Sequence, residues 1–256
     1  MPHIQGPQGN LYYETFGQGK CLVLLHGLWS QLGIWKNIIP GLSADHKVVL
    51  LDQMGHGKSN RMRSPYRLED YATDLKILLD TIGAEQVGII GFSMGALVAQ
   101  EFYFLQPDRV NALVFIACPP PYKRLWRIAI SFVSLLERMG ITSLKTETIK
   151  SLVRRYSKGT DPDIINKSLK DLEKYSNAEF NLILRSVWHQ RKIDRLRTIK
   201  IPALIMVGEK DGIKKHSEKL NQLIPDSQLI IIPKSNHSVI FDQPKYLTEQ
   251  ILKFLP

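Results

Sequence analysis

A five-residue segment near the middle of the chain carries the sharpest chemical signal. It reads Gly-Phe-Ser-Met-Gly from Gly91 to Gly95, with Ser93 at its centre. The apolar run Val87–Phe92 leads into it and a helical pattern follows, so Ser93 would lie at a sharp strand-to-helix turn. Flanking glycines remove side chains that would clash there, and a helix N-terminus favours developing negative charge. The pattern therefore predicts that Ser93 is a nucleophile.

One histidine and two carboxylates lie where they could activate Ser93. A serine hydroxyl is a poor nucleophile until a base removes its proton. His237 directly follows the last apolar run of the chain, so a loop would return it to the same sheet edge. The base in turn needs a carboxylate that fixes its tautomer and stabilises the imidazolium. We favour Asp211, in the loop after the preceding apolar run, over Glu209, which is closer to the strand end.

Two backbone N–H groups are expected to meet the negative charge that develops on a reacting carbonyl oxygen. One belongs to Met94, the residue after the nucleophile. The other is assigned to Leu28, because the segment Leu24–Trp29 follows an apolar run and Gly27 lets the chain turn tightly. His26 precedes this turn. Its candidate roles are support of the loop and proton transfer, and we favour support.

The elements that must position these groups are short apolar runs separated by helical patterns. The runs lack two-residue alternation, so both of their faces should be buried, which is typical of parallel strands covered by helices. Strands that alternate with helices predict a doubly wound α/β sheet. The segment Leu11–Phe16 alternates and is predicted to be an antiparallel edge strand. The six apolar runs are Cys21–His26, Lys47–Asp52, Val87–Phe92, Ala112–Ala117, Ala203–Gly208 and Leu229–Pro233.

The alternation of strands and helices stops after Cys118. Three consecutive prolines, Pro119 to Pro121, follow, and from about Leu125 to Ile193 the patterns are only helical. We predict a helical cap over residues 119–194, inserted into a sheet domain that is built from residues 1–118 and 195–256.

Length and composition exclude several classes of protein. With 256 residues, 44% of them hydrophobic and 23% charged, the chain can form one globular domain with an insertion rather than a disordered segment. No apolar run reaches the roughly 18 residues of a membrane-spanning helix, and the first residues lack a secretory pattern. Cys21 and Cys118 are too few for a disulfide scaffold. We therefore expect a cytoplasmic protein without a transmembrane segment, without a cofactor and without a metal-ligand set.

The charge of the chain is concentrated in the predicted cap. The formal net charge is +10, yet residues 122–200 hold 18 Lys and Arg against 8 Asp and Glu, which leaves 16 of each sign elsewhere. No nucleic-acid-binding module accompanies this charge, so nucleic acid is not the expected partner. An acidic partner, an anionic membrane surface or an acidic small ester would be attracted to it, and a merely solvated basic face is the alternative. The residues concerned include Lys123, Arg124, Arg127, Arg138, Arg154 and Arg155.

The chain resembles the α/β-hydrolase superfamily, and among its members the carboxylesterases and the pimeloyl-carrier methyl-ester esterases. The order Ser93, Asp211, His237 carries the resemblance, together with the segment Asp-Gln-Met-Gly-His-Gly-Lys-Ser at residues 52–59. The resemblance implies a mostly parallel sheet of eight strands with a helical cap between the sixth and the seventh. It also implies a structural turn at residues 52–59 and, as a candidate partner for the basic residues of the cap, an acidic acyl carrier protein.

Two positions depart from the pattern of that superfamily. Asn236 precedes His237 where glycine is common, and Met54 stands where arginine is frequent, but neither change removes a catalytic group. Similar enzymes that act as haloalkane dehalogenases or epoxide hydrolases use an aspartate nucleophile. The serine at position 93 therefore argues against both activities.

The reaction that the resemblance implies is hydrolysis of a small-molecule carboxylic ester through an acyl-enzyme. A carbon–carbon bond hydrolase, a lactonase or a cofactor-free haloperoxidase-like enzyme would use the same three side chains. A ligand receptor with slow turnover is a further alternative. Trp29, Trp126 and Trp188 are candidates for contact with the substrate, and packing of the cap helices on one another is the other explanation for the two cap tryptophans.

Overall fold

The computed structural model describes residues 2–120, 162–187 and 193–255, and these residues form an eight-stranded sheet. The strands are β1 His3–Gly6, β2 Gly9–Phe16, β3 Lys20–Leu25, β4 His46–Leu51, β5 Val87–Phe92, β6 Val110–Ile116, β7 Ala203–Gly208 and β8 Ser227–Ile232. Their spatial order is β1-β2-β4-β3-β5-β6-β7-β8. Strands β3 to β8 are parallel, whereas β1 and β2 pair antiparallel with their neighbours. The predicted α/β fold class is confirmed.

Helices cover both faces of this sheet. Side chains alternate along β3 between two separate cores, since Val23 and Leu25 pack on one face and Leu22 and Leu24 on the other. Burial of both faces explains why the apolar runs lack alternation. The helices of the described residues are α1 Ile39–Leu42, α2 Leu68–Thr81, α3 Met94–Leu105, α4 Pro162–Glu173, α5 Asn177–Ser186, α6 Lys214–Leu223, α7 Val239–Asp242 and α8 Pro244–Phe254. Buried residues of α2, α3 and α6 join the first core, and those of α1, α7 and α8 join the second.

The predicted edge position of the segment Leu11–Phe16 is wrong. The segment is antiparallel, as expected, but it lies inside the sheet between β1 and β4. Strand β1 pairs with it through Ile4 opposite Leu11, and both side chains are buried. A strand of four residues is too short to show a convincing period in the sequence, so the outermost strand was not predicted.

The described part of the chain between β6 and β7 contains helices and no strand. Helix α5 begins with a capping box in which the Ser176 hydroxyl accepts the Glu179 N–H at 3.2 Å and the Glu179 carboxylate accepts the Ser176 N–H at 2.7 Å. Helices α4 and α5 lie where the sequence shows helical patterns, and the earlier patterns, which begin at about Leu125, lie outside the described residues. No helix in the described part of the chain is long and apolar enough to cross a membrane.

Candidate active site

The turn between β5 and α3 holds Ser93 in a backbone conformation that few residues adopt. Its φ of 52° lies in the left-handed region, and its N–H donates to the Ile116 carbonyl of β6 at 2.8 Å. The flanking glycines are required by close contacts: a Cβ on Gly91 would overlap the backbone of Gly95, and a Cβ on Gly95 would overlap the Leu25 carbonyl oxygen. Ser93 is thus fixed at the carboxyl end of the central strand by its neighbours.

The structure brings the three predicted side chains into one hydrogen-bonded row. His237 Nε2 lies 3.3 Å from Ser93 Oγ, and His237 Nδ1 lies 2.9 Å from Asp211 Oδ2. Because a carboxylate can only accept, the imidazole proton belongs on Nδ1, which leaves Nε2 to accept the serine proton. The Asp211 side chain has no exposed surface and its Oδ1 accepts the Ile213 N–H at 3.1 Å. The alternative carboxylate, Glu209, instead accepts the Lys234 N–H at 3.0 Å.

The loop that carries His237 is anchored on both sides. The Asn236 side-chain oxygen accepts the Ser238 N–H at 2.8 Å, and the Asn236 N–H donates to Asp242 at 3.2 Å. A Cβ on Gly208, at the end of β7, would overlap the Asn236 carbonyl oxygen. The asparagine that replaces the more common glycine therefore holds the turn in place rather than disturbing the histidine.

The loop after β3 approaches Ser93 closely at Gly27. A Cβ at this position would lie 3.3 Å from Ser93 Cβ and 3.1 Å from the Phe92 ring, so only glycine fits without a shift. Within residues 2–120, 162–187 and 193–255, the N–H groups of Leu28 and Met94 have no hydrogen-bond acceptor. Two N–H groups without acceptors beside the candidate nucleophile are what an oxyanion site would require.

Hydrogen bonds of His26 support the loop after β3. It is fully buried, and burial lowers the pKa of its imidazole to about 4, so the ring is neutral at neutral pH. Its Nδ1–H donates to the Gly27 carbonyl at 2.8 Å, and its Nε2 accepts the Gln53 N–H at 3.1 Å. The Gln53 amide also donates to the His26 carbonyl at 2.8 Å. These bonds use both ring nitrogens, which leaves neither to transfer a proton to a substrate.

Residues 52–59 form the turn that the sequence indicates. The two carboxylate oxygens of the buried Asp52 accept the N–H groups of Leu32, at 2.7 Å, and Lys58, at 2.8 Å. The Ser59 hydroxyl accepts the Tyr12 N–H at 2.8 Å and donates to the Asp52 carbonyl. This turn thus connects the loops after β3 and β4 without placing a reactive group at Ser93.

Trp29 is in the described part of the site, whereas Trp126 and Trp188 lie outside the described residues. The Trp29 indole is 8% exposed and stacks on Phe180 of α5, with ring centroids 4.1 Å apart and planes 9° from parallel. This contact of Phe180 was not predicted, because nothing in the sequence between β6 and β7 indicates which of its aromatic residues faces the loop after β3.

Comparison with known proteins agrees with this geometry. Residues 20–136 match the family model described as the alpha/beta hydrolase fold. The enol-lactonase from Burkholderia xenovorans superposes with a TM-score of 0.87 at 18% identity, covering 99% of each chain. An esterase from Thermogutta terrifontis superposes with a TM-score of 0.84 at 23% identity, covering 98% of this chain and 96% of its own. The chain has the α/β-hydrolase fold.

One curated relative matches this chain over nearly the full length of both proteins. The pimeloyl-[acyl-carrier protein] methyl ester esterase of Vibrio parahaemolyticus is 28% identical over 259 residues, which cover 96% of this chain and 98% of the relative. The match therefore includes the region between β6 and β7 as well as the sheet. This relative and the two solved structures are all named as enzymes that act on esters or lactones, and the present chain shares the fold of the two solved structures.

Proposed function

We propose that the protein is a serine hydrolase of carboxylic esters. The observation that carries the proposal is the row Ser93–His237–Asp211, with contacts of 3.3 and 2.9 Å, beside two N–H groups that have no acceptor among the described residues. Ester cleavage is favoured because the relative from Vibrio is named as a methyl ester esterase.

The proposed reaction has two halves. His237 removes the proton of Ser93 as the serine oxygen attacks the ester carbonyl, and the N–H groups of Leu28 and Met94 bind the oxygen that becomes negative. The tetrahedral intermediate collapses when His237 protonates the departing alcohol, which leaves an acyl-enzyme. A water molecule, deprotonated by His237, then attacks the acyl carbonyl, and the acid departs as Ser93 regains its proton.

The test is hydrolysis of p-nitrophenyl esters from acetate to octanoate by the purified protein. Ser93→Ala should lower kcat by at least about 10³-fold, because attack by serine is lost while the rest of the site stays. The matched control is Ser64→Ala, which changes an exposed serine that is not part of the proposed site, and it should retain wild-type activity. Ester hydrolysis that persists in Ser93→Ala would refute the assignment of the nucleophile.

The same assay separates the other classes that the three side chains permit. A stoichiometric burst of p-nitrophenol without turnover would indicate a slow ligand receptor. If the protein leaves esters intact but hydrolyses lactones, cleaves carbon–carbon bonds or shows haloperoxidase activity, the corresponding class replaces the ester proposal.

We further propose that residues 119–194 act as a cap and that its basic residues attract an acidic substrate carrier. Support comes from the excess of 18 basic over 8 acidic residues in positions 122–200 and from the carrier-protein ester named for the relative. If steering operates, kcat/KM for a carrier-bound ester falls as salt rises from low to moderate concentration, while kcat/KM for a neutral ester stays constant. A cytoplasmic location is part of the proposal, and the free thiols of Cys21 and Cys118 agree with it.

A further inference from the structure

The loop that supplies the Leu28 N–H is held by the region between β6 and β7 as well as by the sheet. Trp29 stacks flat on Phe180 of α5, with ring centroids 4.1 Å apart. Two residues further on, the Gln31 side chain donates to the Asp171 carboxylate of α4 at 3.3 Å. Phe180 has no exposed surface, so the ring is enclosed on every side. The loop and these two helices therefore form one packed unit.

Trp29 occupies a backbone conformation that its own side chain disfavours. Its φ of 53° lies in the left-handed region, where a bulky residue is a genuine outlier and glycine is not. The residues around it are tied elsewhere: the Ser30 N–H donates to the Gly27 carbonyl at 3.3 Å, and the Leu32 N–H donates to Asp52 at 2.7 Å. Such strain persists only where surrounding contacts hold it, and it clusters at functional sites.

We propose that Phe180 is a positioning residue for the oxyanion site: its ring holds Trp29 in the left-handed conformation and so aims the Leu28 N–H toward Ser93. The inference rests on the proposed ester hydrolysis and deepens it. The Leu28 N–H belongs to the Gly27–Leu28 peptide, and the next peptide joins Leu28 to Trp29. A change of φ at Trp29 therefore rotates this second peptide and displaces Leu28 together with its N–H. The loop would then relax at the position that borders the oxyanion donor.

This role differs from simple core packing in what it predicts. A core phenylalanine that only adds stability would leave kcat unchanged in the protein that remains folded. A positioning residue changes kcat, because an N–H that meets the charged oxygen acts mainly in the transition state. The relevant measure is therefore the division of the effect between kcat and KM.

The experiment is a double-mutant cycle between Phe180→Leu and Trp29→Gly, assayed with a p-nitrophenyl ester. Phe180→Leu alone should lower kcat about 10- to 100-fold with KM within about twofold, short of the loss expected when an oxyanion donor is removed outright. Glycine adopts the left-handed conformation without help. In the Trp29→Gly background, Phe180→Leu should therefore change kcat by less than about threefold.

A matched control trims the same helix at another contact. The Ile183 side chain of α5 reaches the space beside Gly55, where a Cβ would lie 3.4 Å from Ile183 Cγ1. Ile183→Val should therefore leave kcat unchanged. Circular dichroism and urea unfolding of every variant ensure that folded protein is compared.

Crystal structures of the wild type and of Phe180→Leu supply a readout that does not depend on turnover. The expected result is a left-handed φ at Trp29 in the wild type and a negative φ in the variant. If φ stays left-handed in the variant, if only KM changes, or if Phe180→Leu has the same effect in both backgrounds, the positioning role is refuted. If φ changes as expected but the wild type hydrolyses no ester, the structural role stands and the proposed ester function fails.

Discussion

Asp74 of α2 is a carboxylic acid enclosed in the core, and its ionisation should limit the stability of the protein. The residue is 1% exposed. The Tyr66 hydroxyl donates to its Oδ2, while its Oδ1 has no hydrogen-bond partner in the described part of the chain. Burial raises the pKa of Asp74 from 3.8 to about 7, against the opposing effect of the Tyr66 hydrogen bond. Folding at alkaline pH must therefore either enclose a poorly solvated charge or keep the proton.

Asp74→Asn removes this cost, because the neutral amide imitates the protonated acid in size and shape. The folded state binds the proton more tightly than the unfolded state, so wild-type stability falls as pH rises from the unfolded pKa to the folded one. A pKa of 3.8 raised to about 7 corresponds to about 2 kcal/mol at pH 5 and about 4 kcal/mol at pH 8. The stabilisation by Asp74→Asn should therefore be greater at pH 8 than at pH 5, by on the order of 2 kcal/mol.

The assay is urea unfolding of wild type and variant at the two pH values. Asp108→Asn, which changes an exposed carboxylate, is the matched control and should show the same small effect at both. Tyr66→Phe removes the one hydroxyl that donates to the carboxylate and should steepen the fall of stability with pH. A stability difference between Asp74→Asn and wild type that does not change between pH 5 and pH 8 would refute the reasoning.

Three further substitutions test the framework of the site. Gly95→Ala should lower the free energy of unfolding by about 1–3 kcal/mol, because the new Cβ would overlap the Leu25 carbonyl oxygen; an unchanged urea midpoint would contradict this contact. Ser59→Ala should cost about 1–3 kcal/mol in the same titration, since the Tyr12 N–H loses its acceptor at 2.8 Å, and wild-type stability would argue against it. Burial lowers the pKa of His56 to about 3, so as pH falls this imidazole is protonated in the unfolded chain before it is protonated in the folded protein. His56→Phe should therefore reduce the loss of stability between pH 7 and pH 5 by about 2 kcal/mol. A pH dependence of stability that is the same in variant and wild type would contradict the burial of a neutral His56.

The sequence allowed the position of Ser93 to be predicted because local rules govern it. Glycines at 91 and 95 and the change from an apolar run to a helical pattern all act within a few residues of one another. The choice of Asp211 over Glu209 was harder, since both follow β7 and only the direction of each side chain separates them. In the structure Asp211 turns toward His237 while Glu209 binds the Lys234 N–H.

The features that escaped prediction depend on contacts between distant parts of the chain. Phe180 and Trp29 stack although they lie on different elements, and no local pattern marks either as a partner of the other. Asp74 lies among the buried apolar residues of helix α2, and its burial depends on which other parts of the chain pack against that helix. Strand β1 has four residues, too few for a period, and its place is set by pairing with β2.

The adjacency of β6 and β7 has an evolutionary consequence. Leu113 lies opposite Ala203 and Ile116 opposite Met206, so the chain leaves the sheet and returns to it on neighbouring strands. A segment inserted between them can lengthen, shorten or be exchanged while every strand pair of the sheet is preserved. Under the proposed function, lineages of this fold could thus inherit Ser93 and His237 unchanged and change substrates by altering the inserted segment alone. Exchange of residues 119–194 between relatives would reproduce such a change in one engineered protein.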